Sequence, residues 1–152
     1  MKIKSTRFGE LDIPAAAVLS FPHGLPGFND EKEFAFIPYQ ADSPFAFLQS
    51  MINPDLTLMV VEPFTFFPDY KFEIDDQTLG EFGLADDNPP QVFNVVRIPE
   101  QLAEMTANLL APVLINWRDR RAGQIVLEKT GYTVRHRLFP RGLPKANDQG
   151  GR

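Results

Sequence analysis

The chain of 152 residues has the length of a single domain, and its 43% hydrophobic content can build a core without disulfide bonds. It has no cysteine and only two histidines, His23 and His136, which excludes metal sites built from cysteine and histidine ligands. Residues 1–111 carry a net charge of −11 (17 acidic, 6 basic) and residues 112–152 a net charge of +6 (3 acidic, 9 basic), so the acidic body disfavours direct nucleic-acid binding.

Short alternating runs of apolar residues predict β-strands along most of the chain. Fourteen prolines punctuate the sequence and exclude a bundle of long helices. The sets that share one face by period-two alternation are Phe34 with Phe36, Phe45 with Phe47 and Met51, Leu56 with Leu58 and Val60, Val92 with Val96 and Ile98, Ile125 with Leu127, and Tyr132 with Val134 and Leu138. Turn sequences such as Asn53-Pro-Asp and Arg121-Ala-Gly separate the runs. The pattern predicts a mainly β single domain, a small antiparallel barrel or sandwich with one or two short helical turns.

Two stretches favour helix instead. The first covers residues 75–84, where Asp75 is a typical N-cap residue and two apolar residues stand three positions apart. The second begins at Pro99, which suits a first helical turn, and helix propensity extends it to Ala111. The apolar positions behind these two predictions are Leu79 and Phe82 in the first stretch and Leu102, Met105 and Leu109 in the second.

The sequence predicts neither a signal peptide nor a membrane span, and it predicts a disordered C-terminal tail. The N-terminal residues 1–7 lack the apolar run of a signal peptide, and no stretch approaches the length of a membrane span. We therefore expect a cytoplasmic protein that does not bind membranes. After Phe139 few apolar residues remain, so we expect residues 140–152 to be disordered and residues 1–139 to form the folded domain.

Motifs for catalysis or for cofactor binding are missing from the sequence. It contains no Gly-x-Gly for a dinucleotide, no Gly-Lys-Ser/Thr for a P-loop and no Gly-x-Ser-x-Gly nucleophile elbow. The set Ser20, His23 and Asp30 arises too easily by chance to indicate a catalytic triad. The acidic residues between Glu73 and Asp87 lack the spacing of an EF-hand calcium loop. We expect neither an enzyme nor a cofactor or metal, and interpret the chain as a protein that binds other proteins.

The segment Phe21-Pro-His-Gly-Leu-Pro-Gly-Phe28 is the most distinctive stretch of the sequence. Its proline and glycine corners fix the backbone, and we expect Leu25 and Phe28 to be presented at its tips. A tight connection between two strands would explain the same residues. A rigid loop that offers apolar side chains also suits protein binding, because little entropy is lost on docking.

Three segments together resemble the FliW family of flagellar assembly factors. They are Phe21–Phe28, Met105-Thr-Ala-Asn-Leu-Leu-Ala-Pro-Val-Leu-Ile-Asn116, and Gly123-Gln-Ile-Val-Leu-Glu-Lys129 followed by Tyr132-Thr-Val-Arg-His136. Their order and spacing also match, and the resemblance covers about residues 2–139. It implies a β-barrel-like fold. In that fold residues 99–104 keep a turn of helix, and residues 105–117 form strand with a bulge or bend near Pro112, against their helix propensity.

The resemblance also implies two protein partners. One is flagellin, bound in the cytoplasm before export. The other is CsrA, an RNA-binding repressor of flagellin translation. In this family the two compete, so that the factor binds and antagonises CsrA when it is free of flagellin. The acidic body suits a basic, RNA-binding partner, because opposite charge accelerates encounter.

The candidate binding residues rest on the chemistry of these partners and not on a motif. For the surface that faces CsrA the candidates are the acidic residues Glu73, Asp75, Asp76 and Glu81. For a groove that binds flagellin they are the apolar residues Leu25, Phe28, Phe64, Phe66 and Phe67. Terminal segments of unassembled flagellin are disordered and amphipathic, so an apolar groove could fold them as helices.

Two other functions are compatible with a small barrel. The mouth of a barrel is a common pocket for a small molecule or a flavin. An RNA-binding barrel would instead need its basic side chains to face one groove. Those side chains would be Arg118, Arg120, Arg121, Arg135 and Arg137.

Overall fold

The computed structural model describes residues 1–143, which contain eleven strands, one α-helix and three short 3-10 turns. The strands are Lys2–Ser5 (β1), Gly9–Asp12 (β2), Val18–Ser20 (β3), Glu33–Pro38 (β4), Phe45–Ser50 (β5), Thr57–Val61 (β6), Gln91–Arg97 (β7), Thr106–Ala107 (β8), Val113–Asn116 (β9), Arg121–Gln124 (β10) and His136–Arg137 (β11). The helix is Asp76–Phe82 (α1), and the 3-10 turns are Ala15–Ala17, Pro63–Thr65 and Leu102–Glu104.

Seven of the strands close into a barrel. Strands β3 to β7 pair antiparallel in chain order, β7 pairs with β9, β9 with β10, and β10 returns to β3. The closing contact is parallel and short: Arg121 stands opposite Ser20, whose N–H donates to the carbonyl of Arg120 at 2.8 Å. The predicted small β-barrel is therefore confirmed, and all its other strand pairs are antiparallel.

Side chains fill the interior of the barrel. The largest fully buried ones include Phe21, Phe34, Leu48 and Ile115, which belong to one apolar cluster. The rings of Phe21 and Phe34 meet edge to face with their centroids 5.2 Å apart. The barrel interior is therefore a packed core. Burial of each such side chain stabilises the fold by about 1.5–3 kcal/mol.

A second apolar cluster covers the outer face of β7. Val92 and Val96, predicted to share a face, both lie in it, packed with residues from the segments that follow β6, β8 and β10. Val61 and Leu109 are nearly inaccessible within the same cluster. Ile98 was predicted to join this face but is 43% exposed, because β7 ends at Arg97.

The helix predicted over residues 75–84 is confirmed as α1. The side chain of Asp75 accepts a hydrogen bond from the N–H of Thr78 at 2.7 Å, which satisfies one of the free donors of the first turn. Gly83 ends the helix with a φ of +69°, a conformation that glycine adopts without strain. Phe82 is the buried residue of α1 and packs against the barrel wall.

The stretch from Pro99 to Asn116 contains one 3-10 turn and the two short strands β8 and β9 but no α-helix, so the helix expected there from propensity alone is wrong. Only Leu102–Glu104 keeps a 3-10 turn; β8 and β9 then run beside β7. Between them, residues 108–112 bulge out, which agrees with the bend that the resemblance implied near Pro112. Pairing with β7 satisfies the backbone here, for example where the N–H of Asn108 donates to the carbonyl of Val95 at 2.9 Å.

Two further sequence predictions are wrong. Arg121-Ala-Gly is strand β10 and not a turn; the turn precedes it at Arg120, whose φ is +53°. The strand expected over residues 132–138 is reduced to β11, and Val134 is 52% exposed. Its alternation breaks because the N–H of Thr133 donates to Nε2 of His136 at 2.8 Å and curls the backbone locally.

The C-terminal prediction stays untested. Residues 144–152 lie outside the described residues, and residues 140–143 are exposed. The boundary at residue 139 therefore remains a prediction. Within residues 1–143, none of the helices combines the length and the hydropathy that crossing a bilayer requires.

Candidate functional site

The loop that carries Leu25 and Phe28 is held by a tight hydrogen-bonded turn, but it presents only one of them. The N–H of Phe28 donates to the carbonyl of Leu25 at 2.7 Å across a tight turn. Gly24 has a φ of +66°, and a Cβ there would lie 2.7 Å from the carbonyl oxygen of Asn29, so the position requires glycine. Leu25 is 3% exposed and belongs to the barrel core, whereas Phe28 is 40% exposed. The expectation that Leu25 lies at an exposed tip is wrong, because its side chain anchors the loop.

Two of the three phenylalanine candidates after β6, Phe66 and Phe67, line a cavity on the outside of the barrel. Phe64 is 48% exposed. Phe66 is half-buried against Phe45 and Phe139, with ring centroids at 5.6 and 5.5 Å. Phe66 and Phe67 form one wall of a cavity of 330 Å³. The other walls are Pro68, Asp69, Tyr70, Leu109, Tyr132 and His136.

The structure does not bring the two halves of the expected flagellin groove together. The loop with Phe28 precedes β4, whose first residue, Glu33, stands opposite Ser20. The start of β4 pairs with the end of β5 at Ser50, and β6 begins beside that end. The loop therefore lies at the end of the barrel where β6 begins. Phe64 follows the other end of β6. The two groups are therefore separated by the length of β6, roughly 15–20 Å.

A buried tyrosine fixes the wall of the 330 Å³ cavity. The hydroxyl of Tyr70 donates to the carbonyl of Leu109 at 2.8 Å and accepts from Nδ2 of Asn94 at 3.2 Å. Burial raises the pKa of Tyr70 to about 12, an effect that the hydrogen bond from Asn94 partly offsets. Tyr132 packs edge to face on Tyr70, with ring centroids 4.7 Å apart. These contacts tie residues 66–72 to the barrel.

The four acidic candidates are all exposed, but they do not form one patch. Glu73 and Asp75 lie before and at the start of α1, and hydrogen bonding by Thr78 lowers the pKa of Asp75. Asp76 occupies the first turn of the helix. Glu81 lies near the other end of α1, about 9 Å along the helix axis from Asp75, where Nη1 of Arg121 donates to its backbone carbonyl at 3.0 Å.

A groove of 570 Å³ joins two of these acidic residues to residues 125–130, which the sequence analysis did not propose as a binding surface. One wall contains Phe72, Glu73, Ile74 and Asp75 with Thr78; the other contains residues 125–130. Val126 is 64% exposed and Glu128 is exposed. The alternation of Ile125 with Leu127 already places Val126 on the opposite, outer face, which is the sequence signal for this wall.

The comparisons with known proteins agree with this architecture. The model of the FliW protein family matches residues 2–138. The chain belongs to the FliW family of flagellar assembly factors. The flagellar assembly factor FliW of Desulfitobacterium hafniense (strain DSM 10664 / DCB-2) is 46% identical over 151 residues, which are 99% of each chain. That of Heliobacterium modesticaldum is 44% identical over 152 residues, again 99% of each.

A solved structure supports the same assignment. The crystal structure of a flagellar assembly factor FliW superposes with a TM-score of 0.85 at 34% identity and covers 94% of this chain and 100% of its own. The family resemblance predicted from the sequence is thus confirmed. The family match extends over all eleven strands, from β1 to β11, and so includes the whole barrel.

The arginines of this FliW-family barrel do not converge on one groove. Arg121 on β10 stands opposite Asn116 on β9, level with the start of β7. Arg137 stands opposite Thr106, which pairs with Arg97 at the end of β7. The two arginines are therefore separated by the length of β7, roughly 20 Å.

Proposed function

We propose that this chain is a non-catalytic protein-binding switch of the cytoplasm. It binds flagellin, and when free of flagellin it binds and antagonises the translational repressor CsrA, which relieves repression of flagellin synthesis. The main support for this proposal is the similarity to flagellar assembly factors over 99% of the chain. The acidic body supports it, because CsrA needs positive charge to hold RNA.

The filled barrel favours protein binding over the alternative of a small-molecule or flavin site. Side chains such as Phe21, Phe34 and Leu48 occupy the interior and leave it closely packed. The groove of 570 Å³ and the cavity of 330 Å³ both lie outside the barrel, between surface segments. Surfaces of this kind suit another polypeptide better than an enclosed ligand.

For CsrA, we propose the end of the acidic stretch that borders the larger groove. Glu73 and Asp75 are exposed there, and the structure adds Glu128 on the opposite wall. Asp76 follows directly on the first turn of α1. Glu81 is the weaker candidate, because it lies beside Arg121, whose positive charge offsets its own.

For flagellin, we propose the aromatic cavity after β6. Phe64 offers exposed apolar surface beside this cavity, because its ring lies 6.2 Å from that of the cavity residue Tyr70. An amphipathic segment could place its apolar side chains there. Phe28 lies at the other end of β6 and would belong to a separate contact. Leu25 supports only the position of Phe28, because it is buried.

Size-exclusion chromatography of the purified chain with flagellin and CsrA tests the switch. We expect a complex with each partner alone and release of CsrA when flagellin is added, because sequestration requires strong negative coupling. A stable complex of all three proteins would contradict it. The substitution Phe64→Ala should weaken flagellin binding about tenfold, as expected for an aromatic anchor. Ile52→Ala is the matched control, since Ile52 is 75% exposed on a different loop.

A further inference from the structure

The segment after β10 leaves one edge of extended backbone without a partner strand. The N–H groups of Ile125 and Leu127 donate to the carbonyls of Pro112 and Leu110 at 3.0 and 2.8 Å. In extended chain, successive backbone groups point to opposite sides, so those of Val126 and Glu128 point away from this ladder. Neither the N–H nor the carbonyl of these two residues makes a hydrogen bond within the described part of the chain.

Defined features limit this edge at both ends. Strand β3 covers the same side of β10 only at its start, where the N–H of Ser20 donates to the carbonyl of Arg120. At the other end Lys129 has a φ of +57°, a left-handed conformation that terminates extended chain. The free edge therefore consists of residues 125–128, with two pairing positions at Val126 and Glu128.

The edge forms one wall of the 570 Å³ groove, and the opposite wall is held in place. The hydroxyl of Tyr132 accepts from the N–H of Lys71 and donates to its carbonyl, both at 3.1 Å. From Lys71 the chain continues without regular structure to α1. The N–H groups of Phe72, Glu73 and Ile74 have no hydrogen-bond acceptor among residues 1–143. The groove thus lies between two fixed lengths of backbone with free hydrogen-bonding groups.

The charge and the apolar surface of the groove define what can bind there. Its lining carries three carboxylates, from Glu73, Asp75 and Glu128, against one ammonium group, from Lys129. None of these four residues forms an ion pair within residues 1–143. The exposed side chain of Val126 projects from the edge between them. Lysine near an edge usually discourages strand pairing, but here Lys129 stands beyond the last pairing position.

We propose that this groove binds an extended, basic segment of a protein partner, which adds as a strand to Val126 and Glu128. Backbone hydrogen bonds to these two residues supply the pairing, as in other cases of strand addition. Lysine or arginine side chains of the segment lie on the same face as Val126 and Glu128, where their charged ends meet the carboxylates and their aliphatic stems cover Val126. The alternate side chains lie on the same face as Ile125 and Leu127 and are apolar. The groove is the one proposed above for CsrA, but this inference adds the pairing of backbone at Val126 and Glu128 and does not depend on which protein supplies the segment.

The direct test uses the full-length chain and a synthetic probe. The probe is a blocked peptide of about seven residues in which lysine and valine alternate, a typical strand length. We expect binding that weakens with added salt and slows amide hydrogen exchange at Val126 and Glu128, followed by NMR. No binding at millimolar peptide, or binding without protection of these two amides, overturns the proposal.

Two backbone controls separate strand addition from simple charge attraction. A peptide of the same sequence with N-methylated amides on its pairing side should bind about tenfold more weakly, because it cannot complete the ladder. An alternating glutamate–valine peptide should not bind, because like charges repel. Equal affinity for the methylated and unmethylated lysine peptides means that charge alone holds the peptide and overturns the proposal.

The substitution Val126→Pro removes the N–H that the proposal requires. Proline is tolerated at strand edges whose N–H is not hydrogen-bonded, so we expect the variant to fold, as judged by circular dichroism and thermal unfolding. It should bind the lysine–valine peptide about tenfold more weakly than Val126→Ala, which keeps the N–H. Equal affinity of the two variants overturns the proposal. If Val126→Pro does not fold, the proposal is tested instead by comparing the methylated and unmethylated peptides on the unmodified chain.

Two outcomes distinguish this inference from other possibilities. If the free edge instead pairs with a second copy of the chain, light scattering will show a dimer that Val126→Pro dissociates, and the proposed occupant is then wrong. If Val126→Pro loses the peptide but keeps its complexes with flagellin and CsrA, the edge serves a different partner and the proposed function is unaffected. Failure of the purified chain to bind flagellin or CsrA would count only against the proposed function.

Discussion

The ring of Phe82 lies directly over Gly123, at the point where α1 meets the barrel. A Cβ at Gly123 would lie 2.5 Å from two carbons of the ring, closer than any real contact. Phe82 is the buried residue of α1, and its ring packs against Gly123 on β10. The absence of a side chain at Gly123 therefore positions the helix, and with it the acidic start of the helix beside the groove.

We expect Gly123→Ala to destabilise the fold by about 1–3 kcal/mol, because Phe82 must move or leave its site. The measurement is the free energy of unfolding in urea. Gly80→Ala is the matched control: nothing lies within 4 Å of a Cβ there, and alanine in a helix should stabilise by about 0.5–1 kcal/mol. A Gly123→Ala variant as stable as the original chain would show that the ring is not fixed in this position.

The neighbouring residues Leu25 and Phe28 should have separable effects. Leu25→Ala removes a core side chain and should lower the free energy of unfolding by about 2–4 kcal/mol. Phe28→Ala should cost less than about 1 kcal/mol, because the ring is 40% exposed. Urea unfolding of both variants checks this. Similar losses for the two would contradict the placement of Phe28 on the surface.

The buried hydroxyl of Tyr70 predicts a loss of stability at alkaline pH. Burial raises its pKa to about 12 from an ordinary value near 10, so the folded state holds the proton more tightly than the unfolded state. The protonated hydroxyl therefore contributes to the free energy of unfolding. This contribution is complete below pH 10 and is lost as the pH rises from 10 towards 12. Unfolding experiments across this range should show the decline, and Tyr70→Phe should show a smaller one. An equal decline in the variant would mean that groups other than Tyr70 cause the loss of stability.

Local sequence chemistry predicted the elements whose reasons are local. Alternation predicted Phe34 with Phe36 on one face, and the capping of Asp75 predicted α1. Prediction from local sequence failed where a contact with a distant residue determines the conformation. Gly123 reads as a turn glycine, but its neighbour across the fold is Phe82. The helix expected up to Ala111 does not form, because Thr106 and Ala107 pair with β7 instead, and helix propensity cannot reveal that partner.

The candidate site shows the same limit. Leu25 and Phe28 are chemically similar, and only the turn between them determines which one faces the core. The acidic candidates were grouped by their closeness in sequence, but α1 carries Glu81 away from Glu73. Glu128 lies far along the chain from Glu73 and meets it only across the groove. The free edge at Val126 depends on which strands end nearby, so no local pattern could have predicted it.

The charge of the groove gives the last prediction, the salt dependence of the two proposed partners. Exposed charges separated by more than about 10 Å are screened at 0.1 M salt, so affinity for the basic CsrA should fall steeply with ionic strength. Flagellin affinity, which we assign to an apolar surface, should fall less. Titration calorimetry at about 0.05 and 0.5 M salt measures both. Equal slopes for the two partners would contradict the separate assignment of their surfaces.

Glu73→Lys is the variant that localises this effect. It should weaken CsrA binding about tenfold at low salt, and the difference from the original chain should shrink at high salt. Asp75 is less suitable for charge reversal, because its side chain also caps α1. Glu10→Lys is the matched control: Glu10 is exposed on β2, in a separate two-stranded sheet, and the substitution changes the net charge equally. If both variants lose the same affinity, the overall charge of the chain and not the groove attracts CsrA.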